Sequence, residues 1–367
     1  MKKILWMLAL IMGAAACTTD EGNSSDGFDR HAMLSHWADD IIVPSLTDYV
    51  GALDALSAQT ETFVANPSVA NLVALRTAWK ASYLMWQAVG MFQIGLAEST
   101  DLQGYTNTFP ADAASIDELI QTGVYNFELP SRRNQQGFPA IDYLLNGIAS
   151  DDDSIVMLYT DAGLGANYAK YLLDVVDRLH DLSTAVLKDW EDGFRDDFVS
   201  NDGSGKVSAV DKVANDYVYY FEKYVRASKV GNPAGVFSGQ KDETIVEAYY
   251  QEDFSKALFE AGLNSMQNFF NGKSKSSDQD GDGFASYLLY LSTLKNNEPL
   301  EELINLQYDV VRTKSSQLSD SFVEQVETDN VAMLETYDLM QQNVVFLKVD
   351  MLSALNIAVD YQDADGD

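Results

Sequence analysis

The sequence predicts an all-α protein, and three features point that way. Apolar residues recur at helical spacing through most of the chain, punctuation rich in Pro, Gly and Asn separates those stretches, and no run alternates as a half-buried strand would. The clearest stripe is Leu172, Val175, Leu179, Leu182, Val186 and Trp190, spaced so that all six share one helix face. Val344, Leu347, Met351, Leu355 and Ala358 repeat the pattern near the end of the chain. A third stripe, Val213, Tyr217, Tyr220, Tyr224 and Ala227, is aromatic and reads as a packed core face rather than a cofactor wall. With 367 residues and 46% hydrophobic content, the chain can build one large domain or two of moderate size.

In chain order, Lys2 and Lys3 precede an apolar run from Ile4 to Met12 and the small residues Gly13 to Ala16. Residues 1–16 are therefore expected to be a lipoprotein signal peptide, since the apolar run is shorter than the roughly 20 residues that cross a bilayer. The small residues before Cys17 resemble a bacterial lipobox, with Ala14 where Leu is usual, so Cys17 is the expected lipidation site. It is the only cysteine, which excludes an internal disulfide and, once acylated, leaves no thiol for catalysis. Residues 17–28, nearly free of apolar side chains, are expected to form a flexible tether. The acids behind Cys17 resemble a surface-export signal. The expected location is the cell envelope, lipid-anchored to the outer membrane and either surface-exposed or facing the periplasm.

Helices are expected over about 29–65 and 68–97, as short pieces over 111–160, and over 165–198, 207–229, 241–271, 284–295, 297–326 and 328–360. Pro44 should kink the first of these. An irregular, loop-rich stretch from Glu98 to Ser154 interrupts the bundle, and function tends to sit on such loops. The formal charge of -32, from 24 basic and 56 acidic residues, disfavours nucleic acid and anionic head groups as partners and favours cations. No Walker loop, Gly-x-Gly-x-x-Gly, His-Glu-x-x-His or Gly-x-Ser-x-Gly motif is present.

An ordered set of motifs gives a more specific reading. Trp79 to Trp86, Gly95, Phe109-Pro110-Ala111-Asp112 with Ile116-Asp117, Gly137 to Leu145, Glu252 with Ser255, and the closing Ala354 to Ile357 with Tyr361 resemble the imelysin family across nearly the whole mature chain. The resemblance implies two helical-bundle halves, here about 29–200 and 201–362, with a ligand-binding cleft near their junction. It also implies an exported protein of iron or other metal acquisition, in a family named for a peptidase activity.

The family motif Gly-x-His-x-x-Glu places an imidazole and a carboxylate on one helix face, where they can grip a metal. In this chain Gly137 is kept, Pro139 stands at the histidine position and Asp142 at the glutamate position. Proline offers no ligand atom, although it suits a first helical turn. The expectation is therefore a binding protein more than a metallopeptidase, with Asp142 either a metal or ligand contact or simply an acid near a helix start. Trp79 and Trp86, seven apart, read as core or as a ligand wall. Arg132 and Arg133 read either as solvated loop charges or as anion binders that could face the same cleft, and Glu252 and Ser255 complete the expected set.

A second metal signal lies at Asp278, Asp280, Asp282 and Gly283, the first half of a calcium loop, whose position 12 is Leu289 instead of a bidentate Glu. A plain acidic linker is the other reading. Asp363, Asp365 and Asp367 repeat the spacing at the terminus. Iron and calcium are thus the candidate metals, and a metal ion, a small anionic ligand and envelope transport proteins the candidate partners. A ligand-free scaffold remains open.

Overall fold

The structure is a computed structural model that describes residues 26–361. The signal peptide, Cys17, most of the tether, and Asp363, Asp365 and Asp367 lie outside the described residues. The chain is all-α. We number its helices α1 (30–65), α2 (Val69–Trp86), α3 (Leu96–Ser99), α4 (Leu102–Thr106), α5 (Ala113–Thr122), α6 (137–147) and α7 (Asp152–Thr160). The later helices are α8 (165–200), α9 (209–234), α10 (Ser255–Phe270), α11 (Phe284–Tyr290), α12 (Leu300–Ser315), α13 (Phe322–Thr328) and α14 (330–354).

Local chemistry sets the helix starts. Side chains of Asp29, Ser68, Asp112, Asp151, Ser208, Ser321 and Asp329 each accept a backbone N–H from the first turn that follows. Such caps contribute about 0.5–2 kcal/mol each. Pro44 does not break α1. The preceding residues, Trp37–Ile42, form a wide π-type turn, and the Asp40 carbonyl that Pro44 cannot bond accepts the Lys275 N–H instead at 2.7 Å.

Helix α1 packs between α2 and α8, while α9, α10, α12 and α14 pack on one another, and α10 touches α2. One continuous apolar core runs through both groups. The clearest stripe behaves as its spacing requires: Leu172, Val175, Leu179, Val186 and Trp190 are buried, with Leu182 partly so. The stripe near the end of the chain holds only in part: Val344, Leu347 and Met351 are buried, whereas the helix ends at Ala354 and Ala358 beyond it is exposed. Helix α1 is long and apolar enough to cross a membrane, but Trp37, Leu46, Tyr49, Leu53, Leu56 and Phe63 are committed to this core.

Several expected boundaries move. The helix expected to 97 ends at Trp86, because the chain turns through 87–95 to bring Gly90 against Tyr220. The helix expected from 241 begins only at Ser255: Asp242 caps Thr244, Thr244 to Val246 are β-branched, and the segment runs as a short 3-10 turn, then bends with Ala248 at positive φ, then a second 3-10 turn at Glu252–Phe254. Between α11 and α12 lies a two-residue ribbon, Leu294–Lys295 paired with Glu298–Pro299. Its turn residues Asn296 and Asn297 both have positive φ, as a tight hairpin needs.

Candidate functional site

Helix α6 begins at Gly137, and only glycine fits there. Its φ is +72°, and a Cβ would fall 2.2 Å from the Thr106 carbonyl oxygen. This close approach seats α6 against α4. The following residues, Phe138 to Leu145, are all buried, and Phe138 stacks on Tyr83 with ring centroids 4.3 Å apart. The helix then widens at Tyr143–Gly147, freeing the Leu145 carbonyl to accept two N–H bonds from Arg76.

Asp142 is 1% exposed, and its two oxygens accept from different partners: Oδ1 from the Asn146 amide and Oδ2 from the Tyr250 backbone N–H, both at 2.9 Å. Burial pushes its carboxyl up to about 7, against the opposing pull of those hydrogen bonds and of the Lys80 charge. The helix-start reading of Asp142 is therefore replaced. It is the sixth residue of its helix, and its backbone partner comes from a segment more than 100 residues away.

Beside Asp142 lies a cavity of about 310 Å³, walled by Phe109, Pro110, Ala111 and Pro139 on one side and by Thr244, Val246, Ala248, Tyr249 and Tyr250 on the other. Below it, Glu247 is 1% exposed and joins a closed polar network. Its Oε1 accepts from Tyr83 at 3.1 Å and Asn107 at 2.8 Å, and its Oε2 is paired with Lys229, itself 2% exposed. Desolvation lowers the Lys229 pKa, while the Glu247 charge acts to raise it. The pair ties α9 to the 244–250 segment, and Tyr83 and Asn107 tie that segment to α2 and the end of α4.

Of the residues singled out from sequence, Pro139 and Asp142 line this cavity together with Phe109, Pro110 and Ala111 of the other motif, and Gly137 starts the helix that carries the first two. The remaining candidates do not line it. Trp79 and Trp86 are fully buried core residues; the indole N–H of Trp79 donates to the Phe138 carbonyl at 3.2 Å, which positions α6. Arg132 bonds Gln135, and Arg133 pairs with Asp101, so both are engaged away from Asp142. Glu252 is exposed, and the Ser255 hydroxyl accepts the Phe322 N–H at 2.8 Å at the start of α13.

In the expected calcium loop, Asp280 is bonded by the Lys273 ammonium and the Ser274 N–H, and Trp37 donates to the Asp282 carbonyl at 3.0 Å. The segment is pinned to α1 by protein groups, and the Lys273 bond lowers the Asp280 pKa. Among the described residues, no three His, Cys, Asp or Glu side chains converge as a metal cage.

The wall from Thr244 to Tyr250, with Glu247 and Lys229, escaped sequence reasoning. Its one available signal was the β-branched run that argues against a helix there.

The family described as imelysin matches residues 42–343. Iron-regulated protein A of Synechococcus elongatus is 29% identical over 132 residues, 35% of this chain and 36% of that protein. The chain thus spans about a third of the length of this curated relative. Two solved structures share the fold. One, described as an iron-regulated protein A precursor from Parabacteroides distasonis, is 17% identical with a TM-score of 0.71 over 89% of this chain and 95% of that one. The other, an imelysin-like protein from Psychrobacter arcticum, is 16% identical with a TM-score of 0.69 over 90% and 97%.

Proposed function

The chain belongs to the imelysin family, and from that premise we propose that it is an exported, lipid-anchored protein of iron acquisition that holds a small metal-bearing or anionic ligand beside Asp142 without transforming it. The carrying observation is the cavity of about 310 Å³ floored by one buried, positioned carboxyl, in a turn where Pro139 replaces the motif imidazole.

A bare metal ion does not fit these residues. Asp142 is the single carboxylate of the wall, both its oxygens already accept hydrogen bonds, and no histidine lines the cavity. A metal would have to arrive inside its own ligand shell. A carboxyl poised near pH 7 suits that role, because its protonated form can donate to an oxygen of the incoming ligand. The names of the relatives support the link to iron, and the word precursor supports export. Cys17 as the anchor, the outer membrane as its destination, and a division into halves near residue 200 belong to the same reading. The last is supported by the break between α8 and α9.

Calorimetry on the mature protein with ferric citrate, and with ferrous, calcium and zinc ions, tests it. Ferric citrate should bind, and Ala111→Trp, which fills the cavity, should abolish binding while far-UV dichroism stays unchanged. Absence of binding by every probe, or binding indifferent to the plug, overturns the proposal. Chelator-sensitive cleavage of a denatured protein, lost in Asp142→Asn, would establish a metallopeptidase instead.

A further inference from the structure

A second cavity, of about 190 Å³, lies where α9 faces α3 and α4, and it shares no lining residue with the Asp142 cavity. Its wall contains Tyr219, Tyr220 and Tyr224 from α9, together with Glu98, Asp216 and Gln103. The tyrosines form a corner: the Tyr219 and Tyr224 rings stand at 89° with centroids 5.9 Å apart, and Tyr220 lies 5.6 Å from Tyr224. Gly90 makes the corner fit, since a Cβ there would sit 2.8 Å from the Tyr220 hydroxyl.

Three polar groups in this wall are left uncompensated by the protein. Asp216 is partly buried, and neither it nor Glu98 makes a side-chain hydrogen bond or ion pair among the described residues. Gln103 is only 4% exposed, and its side-chain carbonyl has no hydrogen-bond partner. Two further wall residues are engaged by the protein: Asp101 is paired with Arg133, and Gln93 donates to the Gly90 carbonyl and accepts the Gln103 N–H.

We infer that this cavity binds a small organic ammonium ion, held between the tyrosine faces, the Glu98 and Asp216 carboxylates and the Gln103 carbonyl. Aromatic faces attract such cations through their quadrupoles, and a buried unpaired carbonyl supplies an acceptor that water or a ligand must meet. A divalent metal is disfavoured, because calcium or magnesium requires about six or more oxygen ligands and two unpaired carboxylates fall short. The volume is below the roughly 300 Å³ at which drug-sized ligands begin to fit, so the occupant is a head group or a short amine.

Charges of both signs surround the cavity. Burial and the Glu98 charge push the Asp216 carboxyl up to about 8, with Asp360 acting in the same direction and Lys212 against it. Lys223 sits 5.7 Å from the centre of the Tyr219 ring, and Arg133, already paired, is felt at Tyr224. An arriving cation stabilises the ionised form of Asp216, so binding at pH 7 releases a proton.

Calorimetry at low salt decides, using choline and putrescine as probes and 3,3-dimethylbutan-1-ol as the neutral isostere of choline. At least one ammonium should bind and the isostere should not, with heats that differ between phosphate and Tris buffers as a released proton requires. Asp216→Asn and Tyr224→Leu should each weaken binding tenfold or more, Glu98→Gln severalfold, and Asp142→Asn not at all. Failure of both ammonium probes, equal binding of the isostere, or undiminished binding in the Asp216→Asn and Glu98→Gln proteins overturns the inference. Glu98 is exposed, so its variant keeps the test available if Asp216→Asn does not fold.

Discussion

Replacing Asp142 by Asn should change how stability depends on pH, because the carboxyl has an ordinary value of 3.8 and is pushed to about 7 by burial in the folded protein. Below about pH 4 both folded and unfolded chains carry the proton. Between 4 and 7 the unfolded chain releases it while the folded chain keeps it, so the folded state binds more protons and the free energy of unfolding falls as pH rises. Above 7 both are ionised and the fall stops. Three units at about 1.4 kcal/mol each give a loss of about 4 kcal/mol across the window. Asparagine does not titrate, and its Oδ1 can still accept the Tyr250 N–H. The wild-type stability minus that of Asp142→Asn should therefore decline by about 4 kcal/mol from pH 4 to 7.5. Urea unfolding followed by tryptophan fluorescence at half-unit pH steps measures this, and titrations common to both proteins cancel in the difference. A difference that changes by less than about 1 kcal/mol, or that rises with pH, would refute the placement of this carboxyl in a desolvated site.

Two further outcomes follow from burial. Lys229→Met leaves Glu247 charged and buried with only Tyr83 and Asn107 as donors, and should cost about 3–5 kcal/mol. Adding Glu247→Gln should recover part of that loss, and strictly additive costs in chemical denaturation would show that the two do not act as a pair. Leu179→Ala, at a side chain 2% exposed on the face of α8 that meets the core, should cost roughly 2–5 kcal/mol. A cost under about half a kcal/mol would mean that this face is not packed.

The helices were legible because burial imposes a period that single residues cannot hide. Leu172 to Trp190 and Val213 to Ala227 could be placed on faces by counting. The legible part of the site was the part carried by two short motifs, Phe109 to Ala111 and Pro139 with Asp142. Arg132 and Arg133 show the limit of proximity in sequence: they precede α6 by only a few residues, yet they bond Gln135 and Asp101. The tyrosines of α9 show the opposite case. Spacing pointed Tyr217, Tyr220 and Tyr224 to core, and Tyr217 is core, whereas Tyr220 and the partly buried Tyr224 also line a cavity.

The sequence by itself determined the helical class, the family, the loss of the motif imidazole at Pro139, and the acidic character of the whole. Each of these depends on local composition, spacing or identity. Only the tertiary structure decided that Asp142 is desolvated, that Tyr250 supplies its backbone donor, and that Lys229 and Glu247 meet. It also decided that Glu98, Asp216 and the Gln103 carbonyl share a wall without partners. The physical reason is that desolvation and charge pairing are properties of neighbours, and these neighbours lie on segments far apart in the chain, whose distance closes only when the helices pack.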